Sequence, residues 1–465
     1  MFEEDDDYME GYLNEDLASF ERYLTGESMG FLDSDRLEIL LDHLLMNSQY
    51  QKAALCADYA IEQFSFYQVF HLRKAQAIAA MGQLREALNI LAKIEKMDLP
   101  SVEFWLTKAS IFSQIKDSKN AIKFFKEALA VSEPEDRDEI YLDLAMEHEN
   151  LRDYRAAVAV LREAIKFNPF NEGAIYEIAF CYDQLGEYDS AIQCYSDYID
   201  ENPYSFTAWY NLGNAYTKIE KYDKAVVAYE YCVVINEDFG PVFFNLANTL
   251  LAQEKYTEAI ENFQRCIEVD GEDFMAFCYI GEAYEQLNDL DNATLYYRKS
   301  LDLAPDNADA WLGLGIVEDL RGNTREALSL LHKAAELDAE NASIYHVLAE
   351  AYEKVEDYTS AIEYFQLALA LDPSDEECLE DYVTLLCEKV SIIDALEFVN
   401  DFIANVGENK IAEILQTNLL YLSGNKELAV VIFANCVNAD KENAKELFRI
   451  NPALKEIESF IRIIE

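Results

Sequence analysis

Trp209-Tyr210-Asn211-Leu212-Gly213-Asn214-Ala215-Tyr216 is followed, after Thr217-Lys218-Ile219, by Glu220-Lys221-Tyr222-Asp223-Lys224-Ala225, and then by Tyr229 and Cys232. Trp209, Leu212, Gly213 and Tyr216 stand at i, i+3, i+4 and i+7, which is one stripe of a helix. Glu220-Lys221-Tyr222-Asp223 makes a turn, and Ala225, Tyr229 and Cys232 give a second stripe. The stretch therefore reads as a helix hairpin whose small residues let the two backbones approach and whose large ones fill the space beside them.

The hairpin recurs. Alanine returns at 53, 87, 121, 157, 191, 225, 259, 293, 327, 361, 395 and 429, every step 34 residues except the 36 from Ala121 to Ala157. Self-similarity at this period is the mark of a solenoid. A second small-residue series runs twelve positions ahead, from Ala75 and Ala109 through Gly213, Gly281 and Gly315 to Ala349. Phe125, Tyr195, Tyr229, Phe263, Tyr297, Phe365 and Phe433 fill the second helices. Pro169, Pro203, Pro305 and Pro373 fall between hairpins, and Pro241 falls in the first turn of a helix, where a missing N–H costs little.

The motifs Trp209-x-x-Leu212-Gly213-x-x-Tyr216 and Tyr222-x-x-Ala225-x-x-x-Tyr229 resemble the tetratricopeptide repeat (TPR) consensus. The chain is identified on them as a member of that family, of the bacterial cytoplasmic multi-repeat type. The resemblance implies an all-α, right-handed superhelical solenoid of about twelve hairpins, concave on the first-helix side, that binds peptides or proteins. It is strongest over 138–375. It weakens over 34–67 and 376–409, where the turn glycine and most aromatics are missing.

Four segments are expected. Residues 1–33 form an acidic extension with a capping helix over Asn14–Leu24, and 34–133 form a three-repeat arm. Residues 138–443 form the nine-repeat main array, and 444–465 a C-terminal capping helix. The Pro134-containing insertion between Val131 and Arg137 is the expected seam.

Composition narrows the function. Asp and Glu number 89 against 37 Lys and Arg, a net charge of −52, so phosphate backbones and anionic membranes are repelled. With 51 % hydrophobic residues the chain is nonetheless built to fold, and 15 glycines with 8 prolines suit helices. The N-terminus is acidic and no apolar run is long enough to cross a bilayer, so a cytoplasmic location is expected. The nine cysteines lack paired spacing and read as reduced, packed thiols.

No catalytic constellation emerges. His43, His71, His148, His332 and His346 are scattered over five repeats, and neither a GxSxG elbow nor a phosphate-binding GxxxxGK[ST] loop occurs. Gly313-Leu314-Gly315 resembles the start of a dinucleotide fingerprint, but Gly315 is read as the repeat's small packing position, and Glu350 with Glu353 as a solvated pair. The chain is expected to be no enzyme and to use no cofactor and no metal.

The binding face is legible instead. Over 138–375 the groove-facing stripe of the first helices collects eleven acids, Glu139, Asp143, Glu149, Glu177, Asp183, Glu282, Glu285, Asp309, Asp319, Glu350 and Glu353, against two bases, Lys218 and Lys354. An uncharged patch of Asn211, Asn214, Asn245 and Asn248, flanked by Tyr210 and Phe244, lies within it. Asparagine amides both donate and accept, so a ladder of them is suited to holding an extended peptide backbone, and all four are expected to be solvated. The chaperone-tail clamp of some TPR proteins needs cations where this chain has Tyr210, Phe244, Met275 and Tyr279, so acidic tails are disfavoured. The partner expected is a neutral-to-basic peptide or protein surface. Self-association into an assembly is the alternative, and a ligand-responsive regulator ranks below both.

Overall fold

The computed structural model describes residues 2–96 and 101–464, with side chains from residue 12 onward. Two compact units divide the chain, 1–236 and 237–465. Among the described residues every regular element is a helix.

The first unit opens with α1 (Phe2–Leu24). Three hairpins follow: α2 (Ser34–Met46) with α3 (Tyr50–Gln63), α4 (Gln68–Ala80) with α5 (Leu84–Ile94), and α6 (Val102–Gln114) with α7 (Ser118–Val131). Three more complete the unit: α8 (Arg137–Asn150) with α9 (Tyr154–Phe167), α10 (Glu172–Leu185) with α11 (Tyr188–Glu201), and α12 (Phe206–Lys218) with α13 (Tyr222–Ile235).

The second unit stacks α14 (Gly240–Ala252) with α15 (Tyr256–Asp270), α16 (Phe274–Gln286) with α17 (Leu290–Leu303), and α18 (Ala308–Leu320) with α19 (Thr324–Leu337). It continues with α20 (Ala342–Lys354) and α21 (Tyr358–Leu371), α22 (Glu376–Leu385) and α23 (Ile392–Val406), and α24 (Lys410–Leu422) and α25 (Lys426–Ala439). The expected all-helical array of twelve hairpins is what the described residues form.

Packing follows the repeat. All twelve phased alanines are 1 % exposed or less, and the seven large second-helix residues 4 % or less. A small residue at each crossing lets the helices close on an aromatic wedge. Local chemistry ends the helices: Asp117, Asp153, Asp289 and Asp357 cap second helices by accepting the backbone N–H three residues on. The indoles of Trp209 and Trp311 each donate to the carbonyl of the preceding inter-hairpin proline, Pro203 and Pro305, at 2.9 Å.

The turn within each hairpin needs one residue in the left-handed region. Glycine takes it at 82, 186, 322 and 424, but Ser48, Lys116, Arg152, Glu220, Glu254, Asn288 and Glu356 take it elsewhere, with φ from 57° to 64°. The missing turn glycine thus does not set 34–67 apart. It does matter at 376–409, where the turn between α22 and α23 has no left-handed residue: a π-helical turn over Leu386–Val390 runs into Ser391, which caps α23.

The ends differ from expectation in detail. α1 begins at Phe2 rather than near Asn14. The helix therefore includes the acidic head. Buried Phe20 packs with Leu37, Leu40, Leu41 and Leu44, and buried Asp16 takes both Arg36 donors, at 2.5 and 3.0 Å. The C-terminal segment is broken rather than one helix: Leu447–Ile450 stops where Pro452 forces Asn451 into an extended conformation, and Glu458–Ile464 follows. Phe448 and Phe460 nevertheless close over Phe433 of the last hairpin, ring centroids 5.7 and 5.1 Å away.

Candidate functional site

Within each unit, successive first helices touch: α2 with α4, α4 with α6, α8 with α10, and α10 with α12; then α14 with α16, α16 with α18, α18 with α20, and α22 with α24. Among the described residues, no successive second helices pack to that extent. First helices therefore line the inner side of each stack, and the candidate residues are on them.

In the first unit, Glu177 and Asp183 are on α10, and Tyr210, Asn211, Asn214 and Lys218 on the neighbouring α12. Burial pushes the Glu177 and Asp183 carboxyls up, and Lys218 partly offsets this at Asp183. Asn211 and Asn214 depart from the solvated state expected of them. Asn211 is 8 % exposed and its Nδ2 is buried without a hydrogen-bond partner. Asn214 Oδ1 accepts the hydroxyl of Tyr229 at 2.8 Å. Tyr229 reaches it by passing under Gly213, where a Cβ would stand 2.4 Å from the ring. Tyr210 lies against the same ring, centroids 6.2 Å apart.

In the second unit, α14 carries Phe244, Asn245 and Asn248, both asparagines half-buried. Phe244 meets Phe263 and Tyr279, with centroids 5.5 and 5.9 Å away. α16 carries Glu282 and Glu285. Tyr297 donates to Glu285 Oε2 at 2.8 Å, its ring held between Gly281 and Gly313. Gly313 is thus a packing residue, as is Gly315, the one read so from the sequence, where a Cβ would stand 2.5 Å from Leu331. Burial and neighbouring Glu282 push the Glu285 carboxyl up to about 7 against the pull of the Tyr297 hydroxyl. Crowding by protein, then Asp309, pushes Glu282 up as well, although its side chain retains contact with solvent. Asp319 is committed elsewhere: it binds the Lys354 ammonium and accepts the Thr324 hydroxyl at 2.8 Å.

These carboxyls belong to a wider pattern. Glu38, Asp143, Glu149, Glu177, Asp183, Glu282, Glu285, Glu350 and Glu353 are all raised, with burial the largest cause at each, and all nine are on first helices. Carboxylates lowered by a partner lie mostly elsewhere, as with Glu21 beside Lys52 and Asp440 beside Lys410.

Sequence reasoning missed one grouping. His346 Nε2 is 3.0 Å from Asp381 Oδ2, with Glu350 alongside, and His346 Nδ1 is 3.5 Å from Asp375 Oδ2. The 35-residue step from His346 to Asp381, one repeat plus one, was the signal that could have found it.

Comparison with known proteins adds the family. Models described as tetratricopeptide repeat match residues 206–239, 244–308 and 320–380. The chain belongs to the tetratricopeptide repeat family. A further model, described as anaphase-promoting complex, cyclosome, subunit 3, matches residues 114–198. Among solved structures, the APC/C hetero-tetramer Cut9–Hcn1 is similar at 15 % identity, with 86 % of this chain and 98 % of that one covered and a TM-score of 0.43. A tetratricopeptide repeat protein from Parabacteroides merdae is similar at 15 % identity over 54 % of this chain and 98 % of its own, TM-score 0.45. A thermophilic TPR protein of Thermus thermophilus shares 22 % identity over 39 % of this chain and 99 % of its own, TM-score 0.35. The comparison with curated proteins gives no match. No described helix is long and apolar enough to cross a membrane.

Proposed function

We propose that this TPR protein is a non-enzymatic cytoplasmic scaffold that holds an extended, neutral-to-basic segment of a partner protein along its first-helix faces. The observation that carries this reading is the set of nine inner-face carboxyls held above their ordinary range. Burial is the largest cause at each, and at every one but Glu177 and Asp183 a neighbouring acid adds to it, so a Lys or Arg side chain entering the face relieves a cost already present. Glu177, Asp183, Glu282 and Glu285 would meet those cations. Lys218, itself basic, and Asp319, bound to Lys354, would border the negative face within their own units. Asn211, Asn214, Asn245 and Asn248, with Tyr210 and Phe244 beside them, would contact the peptide backbone, Asn245 and Asn248 most directly. Asn214 already serves Tyr229.

Fluorescence anisotropy with pooled basic, neutral and acidic peptides tests the proposal. Basic pools are expected to bind best, with affinity falling as salt rises, since ions screen exposed charges beyond about 10 Å at 0.1 M. Glu177→Gln with Glu282→Gln should weaken basic peptides and leave neutral ones unchanged. Equal binding of acidic and basic pools, or no response to salt, would overturn it.

A further inference from the structure

His346 projects from α20 one turn before Glu350, so both point to the same side of that helix. Asp381 comes from α22 of the next hairpin and places Oδ2 3.0 Å from the imidazole Nε2. On the far side of the ring, Asp375 is fixed: its Oδ1 accepts the Cys378 backbone N–H at 2.9 Å, capping α22, and its Oδ2 stands 3.5 Å from Nδ1. The ring rests on Phe365, centroids 5.9 Å apart, and the His346 side chain is only 12 % exposed. One nitrogen is therefore oriented by a locked carboxylate while the other faces two carboxylates that the cap does not use. The donor atoms of His346, Glu350 and Asp381 all lie within 4.8 Å of one another.

The geometry points to a divalent transition-metal site, of the zinc class, ligated by His346 Nε2, Glu350 and Asp381. An imidazole nitrogen with two carboxylate oxygens suits zinc and its neighbours; calcium and magnesium prefer oxygen alone. Asp375 is the outer carboxylate beside Nδ1, at ion-pair distance, in the place such partners take behind metal-binding histidines. Local charge agrees. Three carboxylates surround one imidazole, while the nearest lysine on the same helix, Lys354, is bound to Asp319. Asp381 is 40 % exposed on its side chain, so an ion has a way in and a coordination position left for water or for a donor from a bound partner. Cys378 lies with His346 and Asp375 in a second grouping, but its thiol is fully buried and pushed up to about 12, and Asp375 is occupied by its cap. The open side of the ring is the better seat. This inference does not depend on peptide binding.

The test uses the full chain, stripped with chelator and dialysed into roughly 0.15 M salt to screen the general acidity. Zinc chloride alone is titrated by calorimetry, and cobalt chloride is followed by visible absorption. One ion per chain is expected, with cobalt bands of a low-coordinate site bearing nitrogen. His346→Gln, and separately the pair Glu350→Gln with Asp381→Asn, should each lower affinity at least 30-fold with unchanged circular dichroism. Asp375→Asn keeps a good helix cap and should lower affinity about 10-fold, the effect of losing an outer carboxylate. Wild type that takes up zinc no more tightly than either ligand variant, or that shows no saturating site, would reduce the cluster to an ordinary histidine–carboxylate ion pair and overturn the proposal.

Discussion

Replacing Gly313 by alanine should loosen the centre of the second unit, although alanine is the better helix former. The new Cβ would stand 2.1 Å from Cζ of Tyr297 and 2.5 Å from its Cε1. The ring has no retreat, because on its other side a Cβ at Gly281 would come within 2.7 Å of Cδ1. Overpacking of this kind costs about 1–3 kcal/mol. Displacing the hydroxyl from Glu285 forfeits a further hydrogen bond of about 0.5–1.5 kcal/mol. Alanine returns about 1 kcal/mol in helix propensity. The net loss is about 0.5–3.5 kcal/mol. Repeat arrays need not unfold as one unit, so the measurement should be local: hydrogen exchange of backbone amides in α16, α17 and α18. A loss of about 2 kcal/mol there means exchange about 30-fold faster. Gly240→Ala is the control, since the nearest atoms its Cβ would meet belong to the carboxylate of Asp270, an exposed side chain that can swing aside. Tyr297→Leu should rescue Gly313→Ala. If Gly313→Ala instead slows exchange with no rescue needed, the ring is not clamped and the packing argument fails.

Three other outcomes are expected. Glu285 is raised to about 7 from its ordinary 4.5, so the folded chain holds a proton that the unfolded chain releases between those values. Stability from this group is full below pH 4.5 and is lost as pH rises through 7; urea titrations at pH 5 and 8 should show Glu285→Gln reducing that difference. At the turns, Glu254→Gly relieves a left-handed glutamate and should raise stability by up to about 1 kcal/mol, while Gly322→Ala, in open space at φ 84°, should lower it by about 1 kcal/mol, both read by thermal melts. At the proposed seam, Pro134–Asp136 buries nothing, whereas Arg137 donates to the Ser132 carbonyl at 3.1 Å and covers Phe167. A Glu-specific protease should therefore cut at Glu133 or Glu135 before trypsin cuts at Arg137, and the reverse order would show that the segment is tied down as a whole.

The hairpins were legible because burial repeats with the sequence: alanine at 225 or 327 is small for one reason, and that reason returns every 34 residues. What escaped depended on geometry across helices. Asn214 stands at a groove-facing helical position, yet its partner is a hydroxyl that crosses the hairpin beneath Gly213, and no spacing along one helix reports that. Glu282 and Glu285 were legible as acids on the inner face, whereas the displacement of their titration arises from what covers them. His346 was dismissed because the five histidines are scattered; in a stacked array, however, proximity is measured in whole repeats, and Asp381 is its neighbour at that distance. The π-helical turn at Leu386–Val390 and the break before Pro452 were also beyond periodicity, the first because no single residue type marks it and the second because the apolar spacing continues through it.

The left-handed turns have a consequence of their own. Glycine and non-glycine residues share one backbone shape at these corners, which touch neither the wedge of aromatics inside a hairpin nor the acids of its inner face. A single codon change at such a corner adjusts how readily its own hairpin opens while leaving the surfaces that pack and recognise as they were. Among the described residues, seven corners now carry the costlier setting. The array thus has a row of separate dials for local opening, one in each hairpin that turns through such a corner, which selection could turn without disturbing what the protein binds.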